Sequence, residues 1–182
     1  MIKIKFILYA SIFSLLISCS SYEKYEKNMV YYNDPAIFHE SMQKLTDVIV
    51  YDIFSPPVAS RIYVYPTIAA YEILINQHPN FKSLTGKIKG LDKIPLPDPD
   101  LEYSFPLASI HAFLVVGKDL IFSEEKITDY QKELMSELKE LGIPNDIYNR
   151  SIDYGDIVAS HIREWYKKEN YDQNRSFTKY TI

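Results

Sequence analysis

The stretch Ser55-Pro56-Pro57-Val58-Ala59-Ser60-Arg61-Ile62-Tyr63-Val64-Tyr65-Pro66-Thr67-Ile68-Ala69-Ala70-Tyr71-Glu72-Ile73-Leu74 decides the fold class. A serine followed by proline is a helix start, because proline's fixed φ suits the first turn and its missing N–H has no partner to lose there. Ala59, Ile62, Tyr63, Ile68, Ala69, Tyr71, Ile73 and Leu74 then place apolar side chains on more than one face. A helix of that kind is packed on several sides, so 58–76 is expected to be central. Pro66 predicts a kink, or a break into two helices.

Outward from this stretch the same grammar repeats. Asp34-Pro35 is a second helix start, followed by Ile37, Phe38, Met42, Leu45, Val48, Ile49 and Ile53 at helical spacing. On the other side, 78–103 holds Pro79, Gly86, Gly90, Pro95, Pro97 and Pro99. That composition predicts an extended surface loop, and a loop so long is expected to cover something. The segment 104–122, with Leu107, Ile110, Leu114, Val115 and Leu120, is the most apolar after the N-terminus and is expected to be buried. Ser123-Glu124-Glu125 opens another helix, with acids at its positive dipole end. Ile127, Tyr130, Leu134, Leu138 and Leu141 form its stripe, and Gly142 and Pro144 end it. The last helix is expected over 151–168, with Ile157, Val158, Ile162, Trp165 and Tyr166 inward. With almost no strand-like alternation, the sequence predicts an all-α helical bundle.

The chain has 182 residues, 47% hydrophobic and 24% charged, which fits a single globular domain. Its net charge of −4, without a basic block, argues against a nucleic-acid partner. Five scattered glycines leave no phosphate-cradling loop, and one cysteine excludes an intramolecular disulfide. At the N-terminus, Lys3 and Lys5 precede an apolar run from Phe6 to Ile17, interrupted only by Ser11 and Ser14. Such a run rises about 18 Å as a helix, too short for a bilayer core of roughly 30 Å. It reads as a signal peptide over 1–18. Leu16-Ile17-Ser18-Cys19 looks like a bacterial lipobox, which makes Cys19 the expected lipid attachment and membrane lipid the expected partner. The protein is then expected in the cell envelope, lipid-anchored on the periplasmic side of a membrane or at the cell surface. Residues 19–33, of mixed charge and no clear period, are expected to be a tether, and 34–182 the helical domain.

The search for chemistry returns little. His39, His78, His111 and His161 have no metal-binding spacing between them. His111 and His161 read as buried structural histidines, His39 as solvated, and His78 as a cation at a helix end. Arg61 and Glu72 lie eleven residues apart on one face and read as structural ion pairs with neighbouring elements. No Gly-x-Ser-x-Gly elbow occurs. Asp98 and Asp100 are two acids alone, weak ligands for a hard cation. The sixteen tyrosines read as residues at the edge of the core rather than a sugar- or peptide-binding surface. No catalytic, cofactor-binding or metal residue is assigned.

The run from Pro56 to Glu72, with Asp52-Ile53-Phe54 before it, resembles the early helices of the vanadium-dependent haloperoxidases, members of the type 2 phosphatidic acid phosphatase superfamily. The nearest likeness is to exported versions from Bacteroidetes-type bacteria. Ser151-Ile152-Asp153-Tyr154-Gly155-Asp156-Ile157-Val158-Ala159, Trp165 and Asn170-Tyr171-Asp172 support it, and the resemblance spans 34–182. It implies a helical bundle whose site holds vanadate or phosphate through a lysine, two arginines, backbone amides and a histidine. Haloperoxidase members oxidise halide with peroxide, and phosphatase members pass through a phosphohistidine.

The family's motifs are Lys-x6-Arg-Pro, Pro-Ser-Gly-His and Ser-Arg-x5-His. No Gly-His pair occurs here, and Ser60-Arg61 has no histidine at the required distance. Lys168 and Arg175 have the spacing of the first motif, but Ser176 follows in place of proline, so the spacing reads as coincidence. The resemblance therefore implies the N-terminal helical part of the bundle, with no family catalytic residue carried over. Vanadate or phosphate is expected only together with a C-terminal half.

Two readings follow. The chain is part of a haloperoxidase-like or phosphatase-like protein and inactive alone, or it is a self-contained helical lipoprotein serving as a binding or scaffold module. In a variant of the first, a second subunit supplies the motif half. A half-bundle should leave a broad apolar face on 58–76 or 104–122, above the few hundred Å² usual on a monomer. A complete module should hide it.

Overall fold

The computed structural model describes residues 22–176. The signal peptide expected over 1–18 and the lipid attachment expected at Cys19 lie outside the described residues. Within them the fold is all-α: α1 (Met29–Tyr32), α2 (Pro35–Tyr51), α3 (Pro56–Leu74) with a 3₁₀ turn Ile75–Gln77, α4 (Phe105–Leu120), α5 (Glu124–Glu140), α6 (Asn145–Lys168) and α7 (Tyr171–Arg175). None of these helices is long and apolar enough to cross a membrane.

The caps legible in the sequence form as expected at the start of α2, where the Asp34 carboxylate accepts the Ala36 N–H at 2.9 Å. Pro35 sits in the first turn, as Pro56 and Pro57 do in α3 and Pro106 in α4. Helix α3 runs unbroken through Pro66, whose ring is buried. Gly142 takes φ +101° just after α5, a conformation that costs a side-chain-bearing residue strain.

The central helix is α4 rather than α3. Leu107, Ala108, Ile110, Ala112, Phe113, Leu114, Val116 and Leu120 are all buried, and α4 packs against α2, α3, α5 and α6. A helix surrounded on every side needs apolar residues all round, and α4 has them. Helix α3 lies beside it and turns part of its surface, including Val64, to solvent. Of the large hydrophobic residues described in 58–76 and 104–122, Val64 and Phe122 are exposed, fewer than the broad apolar face expected there would need.

Two close approaches set the packing. Gly117 faces the Leu45 side chain of α2, where an added Cβ would come to 3.3 Å. Gly155 lets α6 onto α4, where a Cβ would lie 2.9 Å from the Ala108 carbonyl oxygen and 3.0 Å from the His111 ring.

The expected tether is corrected over its described part. Residues 22–27 are helical, and Tyr25 and Tyr32 are buried in the core. Tyr25 packs edge-on against Tyr32. The Tyr32 hydroxyl donates to the Leu138 carbonyl at 2.6 Å, and the Asn28 amide to the Leu141 carbonyl at 2.8 Å. Two tyrosines seven residues apart share a helical face, and that face binds the segment to the end of α5.

The last long helix begins at Asn145 rather than at residue 151. Ser151 is not a cap: its hydroxyl donates to the Ile147 carbonyl inside the helix and accepts the Ser104 N–H. Its inner face is Tyr154, Val158, Ala159, Ile162, Trp165 and Tyr166, whereas Ile157 points outward. The proline-rich loop covers α6 as expected. Leu91 and Ile94 are buried, Trp165 Nε1 donates to the Lys89 carbonyl, and the Tyr154 hydroxyl donates to the Pro95 carbonyl.

Candidate functional site

A cleft of about 400 Å³ lies where four segments meet. The first turns of α2 contribute Pro35, Phe38 and His39. The end of α3 and its 3₁₀ turn contribute Leu74, Gln77 and His78, and the first turns of α4 contribute Pro106, Ser109 and Ile110. Tyr32, Asn33 and Asp34 close the wall. The lining is mostly apolar, and His39 and His78 are exposed at its rim. His39 matches its expected solvated state. His78 ends the 3₁₀ turn, with its ring 3.3 Å from the Gln77 amide and edge-on to Phe81. Burial pushes the Tyr32 hydroxyl up to about 12, so that group stays neutral.

His111 is buried, as expected, and both ring nitrogens are engaged. Gln131 Nε2 lies 3.0 Å from Nδ1, and Asp156 Oδ1 lies 2.8 Å from Nε2. The arrangement that satisfies all three groups has the Gln131 amide donating to Nδ1 and Nε2–H donating to Asp156. That hydrogen bond, opposed by partial burial, holds the Asp156 carboxyl below the usual carboxylate range. With neither nitrogen free for a substrate, the cluster is a polar tie between α4, α5 and α6. His161 differs from expectation: it is half-buried, with Nε2 3.3 Å from the Asp92 carbonyl.

Arg61 and Glu72 do not form the ion pairs expected of them. Glu72 is buried, and its carboxylate accepts the Ser83 hydroxyl and the Leu84 N–H, each at 2.7 Å. It fastens the start of the long loop to α3. Arg61 lies over the Tyr65 and Tyr171 rings and donates to the Tyr65 hydroxyl and the Glu169 carbonyl. One carbonyl and one hydroxyl engage a guanidinium that also stacks on aromatic faces. The buried tyrosines, Tyr65, Tyr154, Tyr166 and Tyr171 among them, form aromatic clusters within the core, in line with the reading of the tyrosines as structural.

The other arginines are engaged separately. Arg150 donates to the Glu102 carbonyl and pairs with Asp146, Arg163 pairs with Asp119, and Arg175 lies over the Phe122 and Tyr171 rings. Arg175 thus shares the Tyr171 ring with Arg61, while Arg150 and Arg163 have other partners. Asp98 and Asp100 sit in an exposed turn, where Asp98 Oδ1 accepts the Asp100 N–H, and no cluster of three metal-binding side chains occurs among the described residues.

Sequence reasoning missed two carboxylates. Glu72 was seen only as half of an ion pair. Asp52 accepts the Phe122 N–H, the Ser123 N–H and the Ser123 hydroxyl, at 2.8, 3.0 and 2.6 Å. It ties the turn after α2 to the two residues that lead into α5. No local pattern announces a tie made across about seventy residues of chain.

No family model matches the sequence, and no curated protein sequence matches it. Among solved structures the chain is similar to a crystallised protein described as the first bacterial vanadium-dependent iodoperoxidase. The similarity has a TM-score of 0.75 and 38% identity, and covers 81% of this chain and 35% of that one. The chain thus spans about a third of that relative's length. Identity at this level, carried on a shared helical architecture, places the chain in the vanadium-dependent haloperoxidase superfamily.

Proposed function

We propose that this chain is the N-terminal helical part of a lipid-anchored vanadium haloperoxidase-like or acid phosphatase-like protein, and that it has no oxyanion chemistry of its own. The observation that supports this most is the unequal coverage of the match: most of this chain against a third of the iodoperoxidase. Vanadate or phosphate held away from bulk water needs several convergent cationic and N–H donors. Each of the four arginines is engaged with a carbonyl, a carboxylate or an aromatic ring of the protein itself, so they do not present such a set of free donors. In this reading the chain supplies scaffold, and residues from a C-terminal half or second subunit supply the oxyanion site.

The deciding experiment reads the DNA beyond the Ile182 codon in all three frames. Lys-x6-Arg-Pro, Pro-Ser-Gly-His and Ser-Arg-x5-His within about a domain's length would support the proposal. An unrelated gene after a clean stop, with no co-purifying chain that restores vanadate- or phosphate-dependent activity, would overturn it. The anchor is tested separately: the intact mass should show acylation at Cys19, and Cys19→Ser should move the protein out of the membrane fraction.

The burial of α4 on all sides supports the second reading, a self-contained helical module. A monomeric chain that unfolds in one cooperative step and binds no oxyanion would favour it.

A further inference from the structure

We propose that the cleft rimmed by His39 and His78 binds a small amphipathic anion, with a flat apolar body and one carboxylate or sulfonate. The cavity, at about 400 Å³, falls within the roughly 300–1,000 Å³ of small-molecule sites. Its floor is apolar, with Phe38, Leu74 and Ile110 from three different helices. Polar groups deeper in the wall already have partners within the protein. The Tyr32 hydroxyl donates to the Leu138 carbonyl, and the Ser109 hydroxyl to the Pro106 carbonyl. They make no demand on a ligand, so the interior selects an apolar body.

The head group is set by the rim. His39 reaches it from α2, and Gln77 and His78 from the turn after α3, with the Gln77 amide 3.3 Å from the His78 ring; the ion pairs among the described residues leave both imidazoles out. An imidazole donates N–H in its neutral form and carries charge when protonated, so two of them at one mouth favour an acceptor with negative charge. Asp34 is the opposing group. One of its oxygens is held by the Ala36 N–H at the positive end of α2, which offsets its charge there. A metal ion is a poorer occupant, since no three metal-binding side chains come together.

The test titrates the full chain with 1-anilinonaphthalene-8-sulfonate and with its uncharged relative N-phenyl-1-naphthylamine. The expected result is saturable one-to-one binding of the sulfonate that shifts the amide resonances of Phe38, Ser109 and Ile110. The uncharged probe should bind the same place at least about tenfold more weakly, the loss of a charge-assisted contact. His39→Gln with His78→Gln, both exposed and tolerable to the fold, should reduce sulfonate binding to the level of the uncharged probe and leave the latter unchanged. Binding without fixed stoichiometry, shifts centred on Ile53 and Phe122 instead, or a double variant that binds the sulfonate as well as the parent would each overturn the proposal. None of these outcomes depends on whether an oxyanion site exists elsewhere.

Discussion

The seam between α4 and α6 and the corner between α2 and α5 are built from similar residue types to opposite effect. At the seam, Gly155 comes so close to α4 that an added Cβ would lie 2.9 Å from the Ala108 carbonyl oxygen, and even the polar residue, His111, has a partner at each nitrogen. At the corner, Val50, Tyr51, Ile53 and Phe122 are exposed, although Phe54 and Phe122 stack and Asp52 is tied to Ser123. Ile53 even takes φ +55°, a left-handed conformation that a β-branched residue adopts at a cost. The difference teaches that apolar content does not locate the core. Enclosure does, and it comes from how many neighbours a helix faces.

The comparison breaks most readily at Phe113. Its ring is fully buried and meets Phe38 edge-on at 5.0 Å between centroids. Phe113→Ala should cost about 3–5 kcal/mol, the usual loss for deleting an enclosed aromatic. Denaturant unfolding would measure it, and a loss below about 1 kcal/mol would mean that α4 is not enclosed on its α2 side as described. Gly155→Ala should cost about 1–3 kcal/mol, because the new methyl meets a backbone oxygen that cannot rotate away. The melting temperature should fall by roughly 3–10 °C. An unchanged value would show that α6 can slide outward freely.

The corner should respond with the opposite sign. Ile53→Gly removes a strained, exposed side chain, and the relief exceeds the added entropy of the unfolded chain only modestly. A gain of up to about 1 kcal/mol is expected, seen as a slightly raised melting temperature. A fall of that size instead would mean that Ile53 contributes packing, and that the corner is closer to core than its exposure indicates.

These contrasts also mark what the sequence could reveal. Helices α2 and α5 were readable because their start and stop signals are local: Asp34-Pro35, Ser123 before two acids, Gly142 after the stripe; α4 was readable from its apolar content alone. The docking of 22–33 was not, because Tyr25 and Tyr32 stand among lysines and glutamates and their buried face emerges only against α5. The helix expected from residue 151 starts at Asn145, because its first turns, Asn145-Asp146-Ile147-Tyr148-Asn149-Arg150, are mostly polar and carry little apolar signal. The cleft was illegible as a site, since His39 and His78 come from separate helices and Ile110 closes the floor from a third. The resemblance to the haloperoxidases carried further than periodicity could, because it drew on particular residue runs, Pro56 to Glu72 and Ser151 to Ala159 above all, rather than on apolar spacing.

The smallest expected effect tests whether the polar part of the seam is tight in the same sense as its apolar part. Asp156 has its carboxyl held below the usual range, chiefly by the hydrogen bond from His111. A carboxylate depressed in the folded state stabilises above its unfolded value, near 3.8, and that stability is lost as pH falls through the lower folded value. Asp156→Asn keeps an oxygen for the His111 N–H and removes only the charge. Because the Asp156 side chain is 55% exposed, solvent screens the pair, and the variant should lose less than about 1 kcal/mol at neutral pH. Melting curves of parent and variant should converge as pH drops below about 4, where the parent's carboxylate takes up its proton. A gap that persists undiminished in acid would mean that the seam is held at this point by shape alone, and that the charge of Asp156 adds nothing to what Gly155 and Ala108 already enforce.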